Sequence, residues 1–223
     1  YTGLQNRDVL GLELHLLTDE TGDAAELLAG LGAHGHLSDS FSELSQVASQ
    51  IVAVEESYHH YPVLFFYRFS EPYYSVSSIT LVALDAVTLI KSALDDEEYA
   101  WLKESAAVAQ LRRAATRLTK TLMNAFLDGP PDPPAAIDPA AAERWRRRYQ
   151  AAVRCLQQAS INTVADEEEG ARAYIALRAE WDYLIAYLAP SLGYSMAEID
   201  PAGQDPEQPD RRDEFAARLR SGE

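Results

Sequence analysis

Cysteine is nearly absent. Cys155 is the single one in 223 residues, so no intrachain disulfide framework can hold the fold. That fits a reducing compartment, and a small core residue is the expected role for Cys155. Basic charge is also short: 35 acids face 19 bases, for a formal net charge of −16. Such a surface repels phosphate backbones, which argues against nucleic acid as a partner. It is repelled by anionic lipid headgroups too, unless basic groups cluster locally. No Gly-rich phosphate loop, Gly-x-Ser-x-Gly elbow or cysteine pair occurs, so no catalytic triad can be argued and no cofactor is implied. Strand-like alternation, internal repeats and single-residue tracts are lacking as well. The chain begins at Tyr1 without a methionine or a signal peptide, which suggests a processed protein or a piece of a longer one.

A long uncharged run is missing too. The nearest candidate, Val76–Leu94, carries Asp85 and Lys91 along with Ser77, Ser78, Thr80 and Thr88. A central aspartate costs roughly 2.5–3.5 kcal/mol on membrane-insertion scales. The stretch therefore reads as a buried helix rather than a spanning one.

What is present is apolar and helical. Hydrophobic residues make up 47% of the chain, enough for a sizeable core. The most apolar and most aromatic part is residues 55–94, EESYHHYPVLFFYRFSEPYYSVSSITLVALDAVTLIKSAL. Its second half is apolar nearly all round, and a helix without a polar face must be surrounded by other elements. We expect a central helix over about Tyr73–Leu94, with the remaining elements packed on it.

Around it the periodicity predicts helices over Leu4–Thr18 and Asp23–Leu31. Another starts at a Ser38 or Asp39 cap and ends or kinks near Tyr61, because Pro62 follows. The aromatic run after Pro62 could continue as helix, and Ser70 with Pro72 marks a new start. Asp95, Asp96, Glu97 and Glu98 look like the acidic first turn of a helix reaching Leu127. Four prolines and a glycine in residues 128–137 read as a stiff linker. Beyond it, helices are expected over Ala140–Gln158 and, as a pair stopped by Pro190, over Glu167–Ala189. The expected organisation is a main core over 1–127, the linker at 128–137, a C-terminal helical part packing on the core at 138–200, and a flexible tail at 201–223. The fold class is all-α, roughly eight helices around one buried helix.

Few residues invite chemistry. Glu55–His59 and Glu56–His60 are i, i+4 pairs, each sharing one helix face. Together with Asp85, and with His15 or the loop histidines His34 and His36, they could line a metal pocket. The plainer expectation is a helix C-terminus whose histidines meet its dipole and the neighbouring carboxylates. Asp85 must be paired, protonated or hydrogen-bonded if it is buried. Arg68, a histidine or tyrosine hydroxyls of the aromatic bend are candidate partners, and a ligand- or proton-sensing acid is the functional alternative. Arg144, Arg146, Arg147 and Arg148, in RWRRR, form a basic knot. It could face lipid or an acidic partner, or pair with the acids of 166–169.

The segment Ser57–Arg68 (SYHHYPVLFFYR) resembles a motif of bacterial potassium-channel-like membrane proteins with a two-helix ion-channel pore. In that family a similar Tyr-Pro-Val-Leu segment follows the pore and leads to an apolar helix containing Leu-Asp-Ala, like Leu84-Asp85-Ala86. Tyr1, Leu4 and Arg7-Asp8 are similar to its segment leaving the pore. Leu14–Leu17, Gly22 and Leu27-Leu28 resemble its following leucine run. Leu177, Trp181, Tyr183, Leu184, Tyr187 and Leu188 resemble its closing aromatic helix. Tyr58 stands where the family has histidine, and Ser191-Leu192-Gly193-Tyr194 replaces its proline-tryptophan ending. The resemblance implies a non-enzymatic assembly or gating domain on the cytoplasmic side of the membrane. It implies a symmetric homo-oligomer with a transmembrane pore upstream of Tyr1. On this reading Tyr61 and Pro62 fix the bend, and Asp85–Arg68 forms a buried pair.

Overall fold

The computed structural model describes residues 2–32, 37–38 and 40–203, with the backbone alone for 2–4 and 202. Tyr1, the loop histidines His34 and His36, the cap candidate Asp39 and the tail from 204 lie outside the described residues.

The fold is all-α. Helices α1 (Thr2–Leu17), α2 (Ala24–Leu31) and α3 (Ser40–His60) are followed by 3₁₀ turns at Pro62–Phe66 and Pro72–Tyr74. Then come α4 (Val76–Ala93), α5 (Ala100–Lys103), α6 (Ala106–Phe126), α7 (Pro139–Gln158), α8 (Glu167–Ala179), α9 (Asp182–Ser191) and α10 (Met196–Ile199). The described residues contain no strand, only an isolated bridge between Leu94 and Thr163.

α4 is the centre. Of its residues only Lys91 escapes burial, and α1, α2, α6, α7, α8 and α9 all pack against it. It is long and apolar enough to cross a membrane, but 94% of it is covered by the other helices. The expected central helix is therefore present, starting slightly later than expected. Pro72–Tyr74 forms a 3₁₀ turn instead, and Ser75 caps α4 by accepting from the Ser78 amide.

Proline and caps set most boundaries. Pro62 ends α3 at His60 and opens the 3₁₀ turn, so the aromatic run is a tight bend rather than more helix. Asp23 caps α2, Asp138 caps α7 with Pro139 at the first helical position, and Asp166 caps α8. Pro190 sits in the last turn of α9, one residue before its end.

The acids at 95–98 depart from expectation. Asp95 folds a local turn by accepting from the Glu97 and Glu98 amides at 3.0 and 2.9 Å. The long helix begins only at Ala106, where Ser105 caps it. A short side chain that can bond its own following amides competes with the helix for them.

Residues 128–137 contain no helix, yet the parts on either side share one hydrophobic core. α7 packs on α2 and α8, and α8 packs on α4. Gly11 is needed where α1 meets the bend: a Cβ there would lie 2.7 Å from the Tyr73 carbonyl oxygen.

Candidate functional site

Asp85 is 1% exposed and fully partnered. One carboxylate oxygen accepts from the Tyr174 hydroxyl at 2.5 Å and from Arg178 Nη1 at 3.2 Å. The other accepts from Arg148 Nη2 at 2.9 Å. Arg178, with no exposed surface, also bonds Asp182 through Nε at 3.0 Å and Asp200 through Nη2. Arg148 Nη2 reaches Asp23, the cap of α2. The network joins α2, α4, α7, α8, α9 and the residue that follows α10. Trp181 adds a bond from its indole nitrogen to the Thr88 hydroxyl at 3.0 Å, and its ring and that of Trp145 lie 5.1 and 5.9 Å from the Arg178 guanidinium.

Electrostatics follow from this crowding. Burial works against charge on Arg178, but Asp200, Tyr174 and Asp85 more than offset it and hold the guanidinium firmly protonated. Arg148 behaves likewise, with burial opposed by Asp85 and Asp23. Burial raises the Tyr174 hydroxyl, which therefore stays a donor to Asp85. Burial also raises Asp182, against the pull of Arg178. The opposed charges of the network compensate one another, as buried ions must.

The expectation of a buried, hydrogen-bonded Asp85 holds, but its partner does not. Arg68 is exposed, lies over the Tyr194 ring at 5.1 Å and pairs with Glu198 at 3.2 Å. Distance explains the correction. Asp85 is nine residues beyond Val76, about 14 Å along the helix axis, so a side chain leaving the bend cannot reach it. The arginines that do reach it are Arg148 on α7, within the basic knot, and Arg178 on α8. Arg178 lies one turn after the buried Tyr174, on the same face of α8. Trp145 and Tyr149, both inward, flank Arg148 in the same way.

The knot divides by helix face. Arg146 pairs with Glu168 at 2.5 Å, as the pairing with residues 166–169 anticipated. Arg148 turns into the core, and Arg144 and Arg147 face a cleft discussed below.

The Glu–His pairs do not assemble into a metal pocket. Glu55 turns toward α6, where it accepts from Arg117 Nε and the Thr121 hydroxyl, both at 2.9 Å. His59 and His60 are exposed, and His60 lies 3.8 Å from Glu56. Asp85 is engaged in the interior network. No group of three or more metal-ligating side chains comes together among the described residues. Each pair meets a different face because neighbouring residues on a helix are about 100° apart.

Tyr61 and Pro62 are both exposed at the bend. Leu64 and Phe65 point inward, and Phe65 stacks on Phe126 with centroids 4.4 Å apart. Arg7 holds the bend from behind. It is 3% exposed and donates through Nη1 to the Tyr58 hydroxyl at 3.1 Å and to the carbonyls of Leu64 and Tyr67 at 3.4 Å. Its guanidinium also sits 4.6 Å from the Phe69 ring centre. Tyr194 closes the far side, its hydroxyl accepting from the Phe69 amide and donating to the Phe69 carbonyl at 2.9 and 3.1 Å.

Cys155 is half-buried. Burial, reinforced by Glu26, pushes its thiol to about 12. Reaction with a disulfide-exchange reagent at pH 8 is expected to be at least about tenfold slower than for a free cysteine. Burial likewise lifts the Tyr149 hydroxyl to about 12. A group that ionises harder in the fold supports folding below its ordinary value and withdraws that support as pH rises. The ordinary values here are 9.0 for the thiol and 10.0 for the phenol. The midpoint of thermal unfolding, followed by circular dichroism, should therefore fall between pH 9 and pH 12.

Fold and site define an all-α protein pinned by a buried aspartate–arginine network. Comparison of the chain with protein-family models, curated proteins and solved structures finds no match.

Proposed function

We propose that this chain is a non-enzymatic regulatory and assembly domain on the cytoplasmic side of a potassium-channel-like membrane protein. Arg7 carries the reading. It stands in the segment that resembles the exit from the pore, and it bonds three points of the bend that carries the strongest part of the resemblance. The same bend passes through Pro72–Tyr74 directly into α4. A displacement of α1 would thus be felt by the bend and by the central helix together. Rigid coupling of an incoming helix to a core is what a gating domain requires.

Self-association has its own support. α1 turns Val9, Leu12 and Leu16 outward, at 58%, 41% and 59% exposure, on one stripe of the helix. An apolar stripe of this kind suits a symmetric interface between copies.

The coding sequence upstream of Tyr1 gives the first test. Two membrane-spanning helices around a Thr-x-Gly-type filter are expected there, and their absence overturns the proposal. With the full-length protein in liposomes, Arg7→Ala is expected to change potassium flux several-fold, because α1 loses its hold on the bend. Light scattering of the 223-residue chain should report a multimer, and a strict monomer at high concentration would remove the assembly role.

A further inference from the structure

α7 carries Arg144, Arg147, Arg148 and Arg154 at relative positions i, i+3, i+4 and i+10, one face of the helix. That face is the wall of an open cleft of about 1870 Å³. The opposite wall is built from α1, the turn before α2, the Pro72–Tyr74 turn, the first residues of α4 and the α10 segment. Four arginines on one wall are unexpected in a chain of net charge −16.

Asp23 takes up one donor of Arg148, but Arg144 and Arg154 stay clear of the acids of the cleft. Asp23 is held by the Ala25 amide and Arg148 Nη2, and Glu198 by Ser195 and Arg68. Glu71 accepts from the Ser70 hydroxyl. Arg144 and Arg154 are exposed and have no partner among the described residues.

Arg148 gives the independent observation. It lines the cleft while only 3% exposed, and just one of its three guanidinium nitrogens is engaged. Nε and Nη1 are buried without an acceptor. Buried donors ordinarily find a partner, and guanidinium donors prefer an anion with several oxygens.

We propose that this cleft binds a multiply charged phosphate-bearing anion, seated on the Arg144–Arg147–Arg148–Arg154 face. Arg148 fixes the phosphate from below, and the exposed arginines close around its remaining oxygens. The cleft also lies against Pro72, Tyr73 and Ser78, at the start of α4. A ligand there would touch the bend and the central helix at once, which makes it a regulatory ligand. That last role rests on the gating-domain reading; the binding itself does not.

Calorimetry and thermal unfolding of the 223-residue chain test it, with inorganic pyrophosphate and a nucleoside triphosphate as soluble probes. Phosphatidylcholine vesicles containing phosphatidic acid form the lipid arm. Saturable binding that weakens with added salt is expected. The double substitution Arg144→Glu, Arg147→Glu should reduce affinity at least about tenfold, while Arg172→Glu, on α8 outside the cleft, should leave it within about twofold. Both changes are on exposed positions, so the fold survives them. Binding of vesicles but not of soluble phosphates would assign the anion to a lipid headgroup. No saturable binding by any probe, or equal loss with Arg172→Glu, overturns the proposal. Binding by a protein with no upstream pore would leave this inference standing and remove only the channel reading.

Discussion

Replacing Asp85 by asparagine is expected to lower the unfolding free energy by about 3–5 kcal/mol. Asparagine keeps the shape but turns one of the two accepting oxygens into an NH₂ donor, so the loss reports the charge together with one lost acceptor. Two guanidiniums converge on this carboxylate in the core. Arg178 retains Asp182 and Asp200 when Asp85 is neutralised. Arg148 keeps only Asp23, whose side chain is 21% exposed. The penalty therefore falls mainly on Arg148, a buried cation left with one solvent-facing partner. Urea unfolding followed by circular dichroism measures it, and a loss below about 1 kcal/mol would contradict the assignment.

The network need not be a large source of net stability. Desolvation of its charges offsets much of their attraction, so apolar replacement of a whole buried cluster can be neutral or stabilising. Joint replacement of Asp85, Arg148 and Arg178 by apolar residues of similar volume should cost less than Asp85→Asn alone only when Asp182 and Asp200, which would lose their cation, are neutralised with them. What the charges supply is register. One carboxylate accepts from Tyr174 and Arg178 on α8 and Arg148 on α7, so these helices can dock on α4 in only one alignment.

Much of this was legible in the sequence. An apolar helix with a single acid dictates both a central position and a satisfied carboxylate, and both hold for α4 and Asp85. Pro62 dictated the bend. The partner of Asp85 was not legible, because 63 and 93 residues separate it from Arg148 and Arg178 and local spacing says nothing about such pairs. Arg148 was further disguised by its neighbours. In RWRRR, four arginines look alike along the chain, and only rotation around α7 sends one to Glu168, two to the open side of the cleft and one into the core at its floor. The acids at 95–98 misled for a related reason. An acidic first turn and an Asp-led local turn share the same letters, and the cap at Ser105 decided where the helix began. The cleft itself could not be read at all, since it is a space between six separated segments.

Substituting Gly170 by alanine is expected to cost about 1–3 kcal/mol, although alanine usually stabilises a helix by up to about 1 kcal/mol over glycine. Gly170 lies in the first turn of α8, where that helix meets α4 and α7. A Cβ there would fall 1.9 Å from the Tyr149 hydroxyl oxygen and 2.9 Å from the Ser92 carbonyl oxygen. Neither can withdraw easily. Ser92 belongs to the backbone of the buried central helix, and Tyr149 has no exposed surface and donates to that same carbonyl at 3.2 Å. α8 must then move away from α4, and the displacement is carried along the helix. Gly170, Tyr174 and Arg178 are spaced i, i+4 and i+8 on one face, so the lift reaches the donors to Asp85. Overpacking at Gly170 and loss of charge at Asp85 should accordingly be non-additive. In the double variant Gly170→Ala, Asp85→Asn the second change should cost at least about 0.5 kcal/mol less than it does alone, because the contact it removes is already loosened. Strict additivity would mean that α8 absorbs the extra methyl locally, and that the network is held by α7 rather than by the docking of α8.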